Sequence, residues 1–140
     1  MNIKSVLPRD AIPSIDEPTF GTAYGGSESD NVLVIEGEPT RGYPIRILNY
    51  HEVVNDIVDG RPFAITWCPI CGSAVVYEAV VDDQPLTFAV SGKLAADDLV
   101  LYDRQTESEW KQSTGSCIAG ELNGQSLTVV PAPMISVAAF

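Results

Sequence analysis

Short apolar runs, each closed by Gly, Pro, Asn or Asp, dominate the chain, and most are the length of a strand rather than a helix. Residues 32–36 (Val-Leu-Val-Ile-Glu) predict a strand, Gly37-Glu38 a turn, and residues 40–43 a second strand. Pro44 suits the first turn of a helix. From Ile45 onward the apolar positions are Ile47, Leu48, Tyr50, Val54, Ile57 and Val58, a spacing that predicts a short amphipathic helix closed by Asp59-Gly60. Such a helix places His51 on one face with Leu48 and Val54. Residues 63–67 predict a strand that runs directly into Cys68, and residues 73–81 predict another. Across the turn Asp82-Asp83-Gln84, residues 86–90 are expected to pair back as a hairpin. Residues 99–102 form a further strand, followed by the polar segment 103–109 and Trp110. Residues 115–119 and 126–130 predict a last hairpin around Asn123-Gly124. The sum is an α+β, mainly β fold: one compact domain over residues 31–140, made of short antiparallel strands with one or two short helices.

Residues 1–30 lack this order. Pro8, Pro13 and Pro18 interrupt any helix, and Gly25-Gly26-Ser27 is a flexible stretch. An irregular N-terminal arm is expected, held to the domain by Val6, Leu7, Ile12, Ile15 and Phe20.

Length and charge narrow the function. A chain of 140 residues can bury one sizeable core without disulfides or a metal to hold it. Nineteen acidic residues against eight basic ones give a formal charge of −11, which speaks against nucleic acid and anionic membranes as partners. No run approaches eighteen apolar residues, so membrane insertion is not expected. The opening residues lack the apolar core of a signal peptide, and the chain as written is expected in the cytoplasm. An acid-rich surface with only three lysines suits a salt-adapted, halophile-like cytosol as well as an ordinary acidic protein.

The sharpest chemical signal is Cys68-Pro69-Ile70-Cys71-Gly72. Two cysteines three apart at a strand-to-turn junction can aim both sulfurs at one centre, and Gly72 permits the tight turn. Thiolates select soft or borderline ions, here zinc or copper(I), over magnesium and calcium. A single pair leaves other ligands to be found. His51 is the only histidine and Cys117 the only other cysteine. Cys68, Cys71 and His51 make a site with an open position, and Cys117 would close it as Cys3His. Against this, His51 can be a helix-surface histidine paired with Asp56 or Asp59, and Cys117 a small buried hydrophobe. The same two thiols also suit a thiol–disulfide oxidoreductase, although a strand after the motif removes the helix N-terminus that usually activates such a pair. A non-catalytic structural or binding domain is the third class. Glu52 adjoins His51 as a general base, but neighbours on a helix point about 100° apart.

Three separated blocks carry a resemblance. Residues 48–56 (Leu-Asn-Tyr-His-Glu-Val-Val-Asn-Asp), 66–75 (Thr-Trp-Cys-Pro-Ile-Cys-Gly-Ser-Ala-Val) and 98–108 (Asp-Leu-Val-Leu-Tyr-Asp-Arg-Gln-Thr-Glu-Ser) occur in the order seen in DUF3179, a domain of unknown function. The chain resembles that family from about residue 7 to its end. The resemblance implies a His–Glu dyad, a Cys-Pro-x-Cys-Gly knuckle and a Tyr-Asp-Arg block, and brings no activity with it. His51, Glu52, Asn55 and Asp56 fall in its first polar block, Cys68, Cys71 and Gly72 in its knuckle, and Ser91-Gly92 in a small-residue turn before Tyr102, Asp103, Arg104 and Ser108. Cys117 departs from the family pattern, which argues against it as a required ligand. Asp103 and Arg104 are candidates for a buried pair that orients the knuckle, and Arg104 for a bidentate anion contact.

Overall fold

The structure, a computed structural model, describes residues 3–140, so Met1 and Asn2 of the expected arm lie outside the described residues. In chain order the elements are β1 (Ile3–Ser5), β2 (Asn31–Ile35), β3 (Arg41–Pro44), α1 (Ile45–His51), β4 (Val53–Val58), β5 (Arg61–Cys68), β6 (Ser73–Glu78), β7 (Val80–Val81), β8 (Gln84–Pro85), β9 (Phe88–Ala95), β10 (Asp98–Asp103), β11 (Glu109–Lys111), β12 (Cys117–Ala119), β13 (Thr128–Val130) and β14 (Met134–Ser136). Strands account for 47% and helix for 7%, which makes this the mainly β domain the sequence predicts.

Three larger antiparallel sheets build the domain, beside a two-stranded ladder of β7 with β8. One runs β1-β9-β10-β11-β12, one β13-β6-β5-β4 and one β14-β2-β3. The sheet around β5 is covered on both faces. Ala64 and Cys68 alternate with Phe63 and Ile65 along β5, and the two sets belong to two different hydrophobic clusters. The first cluster joins β5 to the β9–β10 sheet through Phe88, Leu101 and Trp110. The second joins it to β2, β3 and α1 through Leu33, Tyr43 and Leu48. Burial on both faces explains why residues 63–66 form an unbroken buried run instead of alternating with polar residues.

The expected helix is shorter than its apolar spacing suggested. It ends at His51, because Glu52 takes a left-handed conformation (φ 68°) and caps it through its N–H to Leu48 O. Val53 and Val54 then start a strand. Adjacent β-branched residues here bury into opposite clusters, Val53 into one and Val54 into the other, which a helix with one buried stripe cannot do.

Two expected hairpins are corrected. Residues 86–90 do not pair back on β6: Asp82 and Asp83 close only the two-residue ladder of β7 with β8, and β9 crosses to the other sheet beside β1 and β10. Phe88, fully buried in the first cluster, rewards that crossing. Residues 126–130 likewise meet 115–119 only at a Ser116–Ser126 bridge, while β13 pairs with β6. Ser91-Gly92 is not a turn but an irregularity within β9, where the register with β10 shifts. Gly92 is needed there: its φ is 81°, and a Cβ would stand 2.1 Å from Leu7 O.

That close approach is where the arm crosses β9. The amides of Val6 and Leu7 both donate to Gly92 O, at 2.8 and 2.9 Å. Further along, Ile15 bridges Val54 in parallel beside β4. Ile12 and Ile15 pack against the two clusters, whereas Val6, Leu7 and Phe20 remain 54%, 42% and 44% exposed and contribute less apolar burial.

Buried polar groups lock the β4–β5 sheet onto the β9–β10 sheet. The Asn55 side chain donates to Phe88 O and accepts from Phe88 N–H, both at 2.8 Å. Gln112 donates to Thr66 Oγ1 at 3.0 Å, and Tyr77 donates to Gln112 O at 2.7 Å. Replacing Asn55 by Ala strands the Phe88 amide in the core and is expected to destabilise the fold by about 2–4 kcal/mol, read as a lower denaturant midpoint with unchanged slope.

Candidate metal centre

The knuckle forms where β5 runs out. Cys68 is the last residue of β5, and Gly72 (φ 63°) turns the chain back into β6 while its N–H donates to Cys68 O at 2.8 Å. Cys71 N–H reaches Cys68 Sγ at 3.3 Å, and the two sulfurs lie 2.7 Å apart. Cys68 is buried and Cys71 exposed, and neither is in a disulfide.

A third group arrives from the other sheet. β9 and β10 are joined through Ala96 and Asp97, both at positive φ, and the next residue is Asp98. Ligand atoms of Cys68, Cys71 and Asp98 all lie within 4.8 Å of one another. Asp98 Oδ1 is 3.6 Å from Cys71 Sγ, while Oδ2 accepts from Ser113 N–H at 3.1 Å and from Ser113 Oγ at 2.5 Å. The carboxylate is therefore buried and held in one orientation with one oxygen left for the sulfurs. Although Cys71 is exposed as a residue, its sulfur faces Asp97 O and Asp98. Desolvation, then Cys68 and then the Asp98 charge push its thiol well above the ordinary range. Two buried polar atoms nearby in the chain have no partner among the described residues: Ser73 Oγ, opposite Cys68 in the β5–β6 ladder, and Gln112 Oε1, one residue before Ser113.

A family model described as "Protein of unknown function (DUF3179)" matches residues 9–140. The chain belongs to the DUF3179 family. None of the curated proteins and none of the solved structures compared with it matches. Among the described residues, no helix is long and apolar enough to cross a membrane.

The structure scatters the other candidate residues of this DUF3179 chain. His51 is outside the Cys/Asp group: its Nδ1 is 2.8 Å from Pro13 O and its ring lies edge-on to Tyr50. With α1 ending at His51, the histidine ties the arm to the helix instead of turning toward β5. Cys117 is buried in the first cluster on β12, and its thiol donates to Ala119 O at 3.4 Å. Asp56 holds Arg41 at 2.7 Å and Tyr43 at 2.6 Å, which fastens β4 to β3.

Asp103 and Arg104 do not pair with each other. Asp103 accepts from Trp110 Nε1 at 2.8 Å and from Thr106, whereas Arg104 spends its guanidinium on Asp16 at 3.0 Å and Ser14 at 2.8 Å. Both sustain loops and the arm rather than the knuckle.

The residue that sequence reasoning missed beside the cysteine pair is Asp98. It opens the third family-like block, but nothing in a lone acid before a strand says that a hairpin folds it onto a cysteine pair.

Glu52, expected beside His51, instead lines a small cavity with Cys68. It is 8% exposed, its Oε2 has no hydrogen-bond partner among the described residues, and burial pushes its carboxyl up to about 7. A carboxyl whose folded value lies above its ordinary 4.5 favours the fold while protonated in both states, and that contribution is lost as pH rises from about 4.5 through about 7. Glu52→Gln is expected to flatten this fall, so that the variant gains stability relative to wild type above about pH 7, measured by denaturant titration across that window.

Proposed function

We propose that the chain holds one zinc ion through Cys68, Cys71 and Asp98, with a fourth position open to water or a substrate. The observation that carries this reading is the convergence of three ligand atoms from two sheets, one of them a carboxylate fixed by Ser113. Three groups that become anionic on ionisation repel one another at this range, and a divalent cation removes that repulsion. Zinc takes sulfur and oxygen together, whereas a hard carboxylate is a poor ligand for copper(I), so Asp98 favours zinc of the two ions the sequence suggested. Ser113 supplies the outer support that ligating carboxylates commonly have. At zinc–sulfur distances of about 2.3 Å and tetrahedral angles, two thiolates stand about 3.8 Å apart. The sulfurs must therefore separate from 2.7 Å, a movement open to the exposed Cys71. Zinc with three protein ligands supplies Lewis-acid chemistry at the open position.

A second reading, a thiol–disulfide pair, draws on the 2.7 Å approach of the sulfurs. It is the weaker one. Among the described residues no helix N-terminus or cation faces Cys71, and Asp98 disfavours its thiolate, which is the attacking form.

Zinc titration of the reduced protein, followed by competition with a chelating dye, is expected to give one ion per chain. Cys68→Ser and Cys71→Ser should abolish tight binding, Asp98→Asn should weaken it, and Ser113→Ala should weaken it by about 10–100-fold. His51→Ala and Cys117→Ser should leave the stoichiometry unchanged. Loss of binding in His51→Ala with retention in Asp98→Asn would replace this ligand set by the Cys2His one. Failure of the reduced wild type to retain zinc rejects the metal reading. A redox-dependent melting temperature would then favour the thiol pair.

A further inference from the structure

The cavity that Glu52 shares with Cys68 has a volume of about 120 Å³. Its walls come from three places: Leu7 and Ile12 of the arm, Val90 and Leu99 of the β9–β10 sheet, and the knuckle at Cys68 and Ile70. All but the cysteine are apolar. Glu52 stands among them, more than nine-tenths buried, with Oε2 unpartnered among the described residues. Lys93 also borders the cavity, but its ammonium is 2.8 Å from Glu109 and is engaged there.

Glu52 also occupies a backbone position that favours glycine. Its φ of 68° closes α1 with the geometry usual for a left-handed cap, where a long side chain brings strain of order 1 kcal/mol and no capping advantage. A buried acid at such a position, with a carboxyl oxygen left unpartnered, lacks a structural reason of its own among the described residues. Its unpartnered oxygen is an acceptor open to a hydrogen-bond donor from outside the chain.

The cavity sets the size of that donor. A cavity of about 150 Å³ takes a benzene-sized molecule, whereas drug-sized ligands need about 300–1,000 Å³. The pocket is partly open to solvent and its wall is mostly apolar, so an apolar body displaces water there at little polar cost.

We propose that this cavity binds a small neutral molecule, with an apolar body and about six heavy atoms in all, that directs a single O–H or N–H donor at Glu52. Bound in this way, the molecule lies against Cys68, the residue that the cavity shares with the proposed zinc ligands. The proposal does not need the ion, and its test is made on zinc-free protein, so either reading can fail while the other stands.

Cyclopentanol and cyclopentanone are the probes, because they match in shape and differ in that only the alcohol donates a hydrogen bond. Each is titrated to about 50 mM, the range that weak fragment binding demands, into reduced, zinc-free, full-length protein and followed by amide chemical shifts. At about pH 8.5, above the raised value of about 7, the carboxyl only accepts. Cyclopentanol is expected to shift the amides of Leu7, Ile12, Val90 and Leu99 saturably, and to bind at least about fivefold more tightly than the ketone. In Glu52→Gln the amide also donates, so the preference should shrink or reverse. Leu7→Trp, at a position that is 42% exposed and tolerant of a larger side chain, should fill the cavity and abolish binding if Glu52→Gln fails to fold. Equal affinity for the two probes, shifts confined to other parts of the molecule, or no saturable shift at all would overturn the proposal.

Discussion

The mutual position of two sheets rests on one buried amide. Asn55, on β4, exchanges a donor and an acceptor with the backbone of Phe88 at the start of β9, and so acts as a short piece of strand between sheets that share no ladder. Gln112 to Thr66 adds a second tie farther along the same interface. Apolar packing across that interface is strong but non-directional, and Phe88 or Trp110 would tolerate small slides. Hydrogen bonds with both partners buried do not, because a slide would leave polar groups stranded in the core.

The Cys/Asp cluster depends on that fixed position. Cys68 and Cys71 belong to the end of β5 and its turn, Asp98 to the β9–β10 hairpin, and Ser113 to the turn after β11. Each sheet alone has only part of the Cys/Asp cluster. Their junction also explains the polarity of the region. Asp98 is fixed by Ser113 on one side, which leaves its other oxygen directed at sulfur. The same junction, closed over by the arm at Gly92, leaves the cavity that contains Glu52. The arm thereby shapes the cavity through packing, and the ion pair of Arg104 with Asp16 helps to fasten it there.

The two unusual features of the site involve different physics. At Asp98 the constraint is charge: three potential anions within 4.8 Å. At Glu52 it is desolvation: one carboxyl in an apolar wall with an empty acceptor. The proposed cation answers the first and the proposed neutral donor the second, so the two share Cys68 as a border and remain separate in chemistry.

Local chemistry was legible in the sequence. The β-branched runs, the Gly and Asp turns and the Cys-Pro-Ile-Cys-Gly knuckle depend on neighbours in the chain, so the mainly β character and the pairing of β2 with β3 could be read from residues 31–44 and 61–78. Tertiary structure decided what crosses between sheets. Val53 and Val54 look helical by spacing, and became strand because two different clusters lie on the two sides of β4. β9 and β13 left their expected hairpins because partners far away in sequence buried more than the adjacent strands could. His51, the obvious third ligand by residue type, turned to Pro13, and Asp98, unremarkable by type, arrived at the sulfurs. Residue type and spacing determine which chemistry a chain can offer. The meeting of Asp98 with Cys68 and Cys71, and the isolation of Glu52, come from the registers and cross-sheet contacts of strands distant in sequence, which local periodicity does not encode.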